Sequence, residues 1–115
     1  MTTLGGPVGE RPLPVVAPHG EIDEDTLEPL RRDIEVALAS HGGLVLDATR
    51  VTFGDSTFLQ LILLTHQRGL LRIAAPSVAL RRLFSITGAD TVLHLYADLD
   101  EALAASSGTG SAPVA

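Results

Sequence analysis

Leu44-Val45-Leu46-Asp47-Ala48-Thr49-Arg50-Val51-Thr52-Phe53-Gly54-Asp55-Ser56-Thr57-Phe58-Leu59 is the stretch on which the reading of the fold turns. Its first three residues are an unbroken apolar run, the mark of a strand covered on both faces. Its far end sets an acid and two hydroxyls ahead of Phe58, Leu59, Leu61, Ile62, Leu63 and Leu64. That pattern predicts a helix from near Ser56 to about Gln67, closed by Gly69. A helix apolar nearly all round must be covered on more than one side. A sheet covers one side, and a neighbouring helix or a partner protein covers the other.

The same alternation extends outward in both directions. Leu13–Ala17 reads as a short strand, and Pro18 places it at a sheet edge or breaks it, because proline cannot donate to a ladder. His19-Gly20-Glu21-Ile22-Asp23 reads as a turn into a helix capped by Thr26, with Pro29 harmless at its third position. Leu27, Leu30, Ile34 and Leu38 keep helical spacing, and His41-Gly42-Gly43 stops the run. Beyond the central stretch, Leu70–Ala75 predicts a second buried strand, stopped by Pro76. Ser77 caps a third helix, with Val78, Leu80, Leu83 and Phe84 apolar and Gly88 at its end. Val92–Leu95 reads as a last strand, and Asp98 caps a final helix with Leu99, Ala102 and Leu103 inward. Strands and helices in alternation predict an α/β domain with a mostly parallel sheet flanked by about four helices. The domain is expected over 13–105, between a Gly- and Pro-rich tail at 1–12 and another tail at 106–115.

Composition removes several function classes. The chain has 115 residues, room for one domain. It has no cysteine, so disulfides, zinc fingers and thiol nucleophiles are out, and a reducing compartment, the cytoplasm, is expected. Net charge is −6, with fourteen acids against eight bases, all of them Arg. That sign repels phosphate backbones and anionic lipid, so neither nucleic acid nor membrane is the expected partner. Without lysine no Walker loop can form, and the paired glycines do not build Gly-x-Gly-x-x-Gly. His19, His41, His66 and His94 lack ligand spacing, so no metal is expected. Ser56 stands outside any Gly-x-Ser-x-Gly, and no acid–base pair emerges, so no catalytic residue, no cofactor and no enzyme activity are expected.

What remains is Asp55-Ser56-Thr57 at the first turn of a helix. Asp55 or Ser56 can simply cap that helix. Equally, a hydroxyl there can be modified, since the positive helix end tolerates a phosphate while a partner docked on the spot does not.

Three stretches together resemble the STAS domain family, named for sulphate transporters and anti-sigma factor antagonists. Gly20-Glu21-Ile22-Asp23 with Thr26 looks like its Gly-Glu-Leu-Asp segment. Leu44-Val45-Leu46-Asp47 through Val51-Thr52-Phe53-x-Asp55-Ser56 looks like its central strand and Asp-Ser-Ser-Gly-Leu loop. Ala75-Pro76-Ser77 through Leu80-Arg81-Arg82-Leu83-Phe84-x-x-Thr87-Gly88 looks like its Pro-Ser to Thr-Gly segment. The likeness runs over roughly 13–104. It implies a bacterial, cytoplasmic anti-sigma factor antagonist, a monomer or weak dimer. Its implied partner is an anti-sigma factor that is itself a serine/threonine kinase of the histidine-kinase-like ATPase type. By position the phosphoacceptor is Thr57, with Ser56 next to it. Glu21, Asp23, Asp55, Ser56, Thr57, Phe58 and Leu61 form the expected partner surface. Unmodified antagonist holds the kinase and frees the sigma factor; phosphorylated antagonist lets go. The chain departs from the family where Thr57 replaces Ser, where Phe58 replaces Gly and sets a large side chain beside the acceptor, and where Arg68-Gly69-Leu70 shortens a Gly-rich linker. The alternatives are an unphosphorylated STAS adaptor or scaffold and a small-ligand sensor module.

Overall fold

The apolar run at Leu44–Leu46 lies at the heart of a four-stranded sheet. The computed structural model describes residues 12–105, so the tails expected at 1–12 and 106–115 lie essentially outside it. In chain order the elements are β1 (Val15–Val16), β2 (Gly20–Ile22), α1 (Leu27–His41), β3 (Gly43–Asp47), β4 (Val51–Gly54), α2 (Ser56–Arg68), β5 (Leu70–Ala74), α3 (Val78–Thr87), β6 (His94–Tyr96) and α4 (Leu99–Ala104), with a 3₁₀ turn at Ala89–Thr91 before β6.

The main sheet runs β1-β3-β5-β6 and a second, two-stranded sheet pairs β2 with β4. Every ladder among the described residues is parallel. β1 is the edge strand that Pro18 predicts. β3 is internal, and its side chains alternate between two apolar layers. Leu44 and Leu46 join the large core built with α1, α2 and α3, while Val45 joins Ala74 and Ala102 on the opposite face under α4. Burial on both faces is why β3 could be read as a strand from three residues.

Two strands were not expected. β2 lies in a segment read as a turn and β4 in one read as a connection. Each is three or four residues long with mixed exposure, so neither has a period to detect. They exist because they pair: Glu21 sits opposite Phe53 and Ile22 opposite Gly54. Gly20, at φ 83°, supplies the left-handed residue that lets the chain enter β2.

Thr26 precedes α1 without capping it. Its hydroxyl donates to the Glu21 carbonyl at 2.8 Å and accepts from the Asp23 amide at 2.9 Å, so it stitches the link from β2 to α1. Pro29 is the third helical residue, as expected, and Gly42 closes α1 in the left-handed conformation. Ser77 and Asp98 cap α3 and α4 as read from the sequence. The last strand is shifted to His94–Tyr96, because Ala89–Thr91 uses up chain in a 3₁₀ turn.

Leu103, expected inward, is 43% exposed. α4 has six residues, and Leu99 and Ala102 set its buried stripe; Leu103 lies ~100° further round and reaches the rim. Sequence reading also gave no hint that Arg72 of β5 is buried. Its guanidinium donates to the Ala102 carbonyl at 3.1 Å, where a cation meets the negative end of α4.

Candidate functional site

The link from β4 into α2 fixes the geometry of Asp55, Ser56 and Thr57. Asp55 is the helix cap. Its Oδ1 accepts from the Thr57 amide at 2.9 Å and the Phe58 amide at 3.1 Å, which satisfies two of the orphan donors of the first turn. The same oxygen accepts the Thr57 hydroxyl at 2.5 Å. That hydroxyl bond, with the two amides, holds the Asp55 carboxyl below its ordinary range against the opposing effect of partial burial. Ser56 is exposed and Thr57 half-buried. The cap falls on Asp55, so Ser56 is the first helical residue and its side chain stands outward.

The sign of the acid response follows. A carboxyl whose pKa is depressed by folding stabilises the fold above its unfolded pKa and loses that contribution as pH falls through the folded value. The expected outcome is that Asp55→Asn flattens the fall in melting temperature between about pH 5 and pH 2 relative to wild type. Two parallel curves would show that Asp55 titrates alike in both states.

β2 delivers the second group of residues to the same place. The Asp55 amide donates to the Ile22 carbonyl at 3.2 Å, tying the cap to the end of β2. Glu21 is exposed beside Phe53. Asp23 is half-buried, and its carboxylate accepts from the Asp25 and Thr26 amides at 3.0 and 3.1 Å. Glu21, Asp23, Asp55, Ser56 and Thr57 thus cluster at one end of the β2–β4 pair, although more than thirty residues separate Glu21 from Asp55 in sequence.

The remaining two expected contacts stand differently. Phe58 is wholly buried in the main core, so no partner can touch its ring. The reason is local. A Cβ at Gly54 would overlap that ring, so the glycine of β4 opens the space that Phe58 fills. The expected bulk beside the acceptor is therefore turned inward. Leu61 is only 9% exposed and forms part of a floor.

That floor belongs to a groove of about 380 Å³ between the starts of α1 and α2. Leu27, Leu61 and Leu64 supply its apolar part, Glu24, Glu28 and Arg31 its charged rim, and Thr57 stands at it. Arg31 is held by Glu28 at 3.3 Å. Further along, Arg68 makes a two-pronged pair with Glu35 at 2.5 and 3.0 Å that holds the two helices together. The covering of α2 is thus shared: the sheet and α1 bury Phe58, Leu61, Ile62 and Thr65, while Leu64 stays half exposed in the groove.

Sequence reasoning missed Phe53, Glu24, Glu28 and Leu64 as parts of this surface. Phe53 is 50% exposed, because β4 turns Val51 and Gly54 inward and Thr52 and Phe53 outward. No periodicity marks it. Glu24 and Glu28 belong to the acid-rich front half already visible in the sequence. Among the described residues no group of three or more His, Asp or Glu could hold a metal ion, and no helix is long and apolar enough to cross a membrane.

Comparison with known proteins places this geometry. The family model described as "Mlab, STAS domain" matches residues 12–99. No curated protein matches the chain. Among solved structures, an anti-sigma factor antagonist from Mycobacterium paratuberculosis is 33% identical with a TM-score of 0.67, over 77% of this chain and 80% of that one. The anti-sigma factor antagonist SpoIIAA in its unphosphorylated form is 24% identical with a TM-score of 0.64, over 76% and 82%. Bacillus SpoIIAA in its phosphorylated form is 24% identical with a TM-score of 0.59, over 76% and 85%. The last two share the fold, whereas the mycobacterial antagonist and the family model carry the assignment: the chain belongs to the STAS domain family, of the anti-sigma factor antagonist type.

Proposed function

We propose that this protein is a cytoplasmic partner-switching regulator of transcription. In this reading it binds an anti-sigma factor, a serine/threonine kinase of the histidine-kinase-like ATPase type, and Thr57 is the residue that the kinase phosphorylates. Unphosphorylated, it occupies the anti-sigma factor and the sigma factor goes free. Phosphorylated, it dissociates.

The observation that carries the reading is the placement of Thr57. Its hydroxyl sits at the first turn of α2, beside an open groove and next in the chain to the exposed Ser56. A phosphate here meets the positive helix end, so the fold tolerates it. A docked protein surface does not, because the phosphate brings about −1.5 to −2 charges that must stay solvated. The inward packing of Phe58 supports the same reading, since it leaves the approach to Thr57 clear.

The test is direct. The anti-sigma kinases of the native genome are purified and incubated one at a time with the protein and ATP, and phosphate is mapped by mass spectrometry. Thr57 is expected to carry it. No phosphate on Thr57 or Ser56 with any of them removes the switch.

A further inference from the structure

The outer face of α3 is unlike the rest of the surface. Leu80 and Phe84 hold the helix to the core, and the opposite side carries Val78, Arg82 and Ile86. At four-residue spacing these three form one ridge along the helix. Val78 is 72% and Ile86 76% exposed, the highest values for a large apolar side chain among the described residues. Arg81 and Arg82 are both exposed, and α3 contains no acid, although the chain as a whole carries −6. Neither arginine makes an ion pair among the described residues.

The groove between α1 and α2 has the opposite charge. Leu27, Leu61 and the half-exposed Leu64 give it apolar surface, and Glu24 and Glu28 stand at its rim. Glu28 is shared by Arg31 and Arg32. Glu24 and its neighbour Asp25 are exposed and in no ion pair among the described residues.

We propose that this groove takes α3 of a second copy of the chain, docked head to tail. The ridge of one copy seats between two helices of the next, an ordinary way for helices to pack. Val78 and Ile86 cover Leu27 and Leu64, and Arg82, between them, meets Glu24. Pairing α3 with α3 about a two-fold axis is disfavoured, because it sets Arg82 against Arg82 with no acid on either helix. The two patches are different, so every docked copy leaves one groove and one ridge free. The assembly therefore grows with concentration and does not close at a dimer. Thr57 stands at the same groove, so a docked copy covers it.

Sedimentation velocity of the full chain, over on the order of 10 μM to 1 mM, reads the association. Wild type is expected to pass from monomer to dimer, trimer and longer species. Val78→Ser with Ile86→Ser spoils the ridge and keeps the groove. Glu24→Arg spoils the groove and keeps the ridge. All three positions are exposed, so both proteins are expected to melt with wild type. Alone, each is expected to associate at least about tenfold more weakly than wild type. Mixed in equal amounts they regain one sound contact, and the expected product is a one-to-one dimer that grows no further. Wild type that stays monomeric throughout, or that stops at a closed dimer, overturns the proposal. So does a pair of variants that associate as wild type does, or whose mixture recovers nothing. No kinase enters this experiment, so its failure leaves the phosphoacceptor reading of Thr57 standing.

Discussion

Truncating Phe58 to alanine is expected to cost about 3–5 kcal/mol, a large part of the 5–15 kcal/mol that holds a typical domain together. The ring is fully buried where α2, β4 and the main sheet meet, so its removal leaves a cavity in the core. Gly54→Leu is expected to be damaging for the opposite reason. Its side chain would be built into the Phe58 ring, and overpacking of this kind costs about 1–3 kcal/mol or more. The two positions share one volume, so their effects are not additive. The double variant Gly54→Leu with Phe58→Ala moves the bulk from the helix to the strand, and is expected to be more stable than the sum of the single losses allows. Urea denaturation of the four proteins measures the coupling. Additive losses would show that Gly54 and Phe58 do not compete for the same space.

The largest functional effect is expected from charge at Thr57. If the protein works as proposed, Thr57→Glu weakens binding of the anti-sigma factor about a hundredfold, roughly 2.7 kcal/mol, while Thr57→Ser binds as wild type does. A carboxylate there must be stripped of water when the partner docks. The surroundings give little relief: Asp55, Glu24 and Glu28 are all acids, and Arg31 is engaged by Glu28. Isothermal titration calorimetry with the purified anti-sigma factor decides the matter. Equal affinity for wild type and Thr57→Glu would retire the switch and leave an adaptor that does not respond to phosphorylation.

Particular residues show how much could be read in advance. β3 is legible because burial on both faces forces the unbroken apolar run Leu44-Val45-Leu46, and β5 because Arg72 alone interrupts its apolar residues. α1, α2 and α3 are legible because Gly42, Gly69 and Gly88 close them and Asp55 and Ser77 open two of them. The acceptor turn is legible for the same reason: Asp55 reaches Thr57 and Phe58 within three residues, so its bonds need nothing from the rest of the chain. β2 and β4 escape notice because each is stable only through the other, and Glu21 meets Phe53 across 32 residues of sequence.

Sequence alone therefore determined the order of the four helices and of the four strands of the main sheet, the helix start that carries Asp55, Ser56 and Thr57, and the likeness to the STAS family, because each of these rests on short-range geometry or a linear motif. Only the tertiary structure decided that Phe58 faces the core and Phe53 the solvent, that Arg72 is buried against α4, and that Glu24, Leu64 and Thr57 share one groove. An apolar or charged side chain carries no mark of which side it will face; distant elements, by filling or leaving empty the space around it, make that choice.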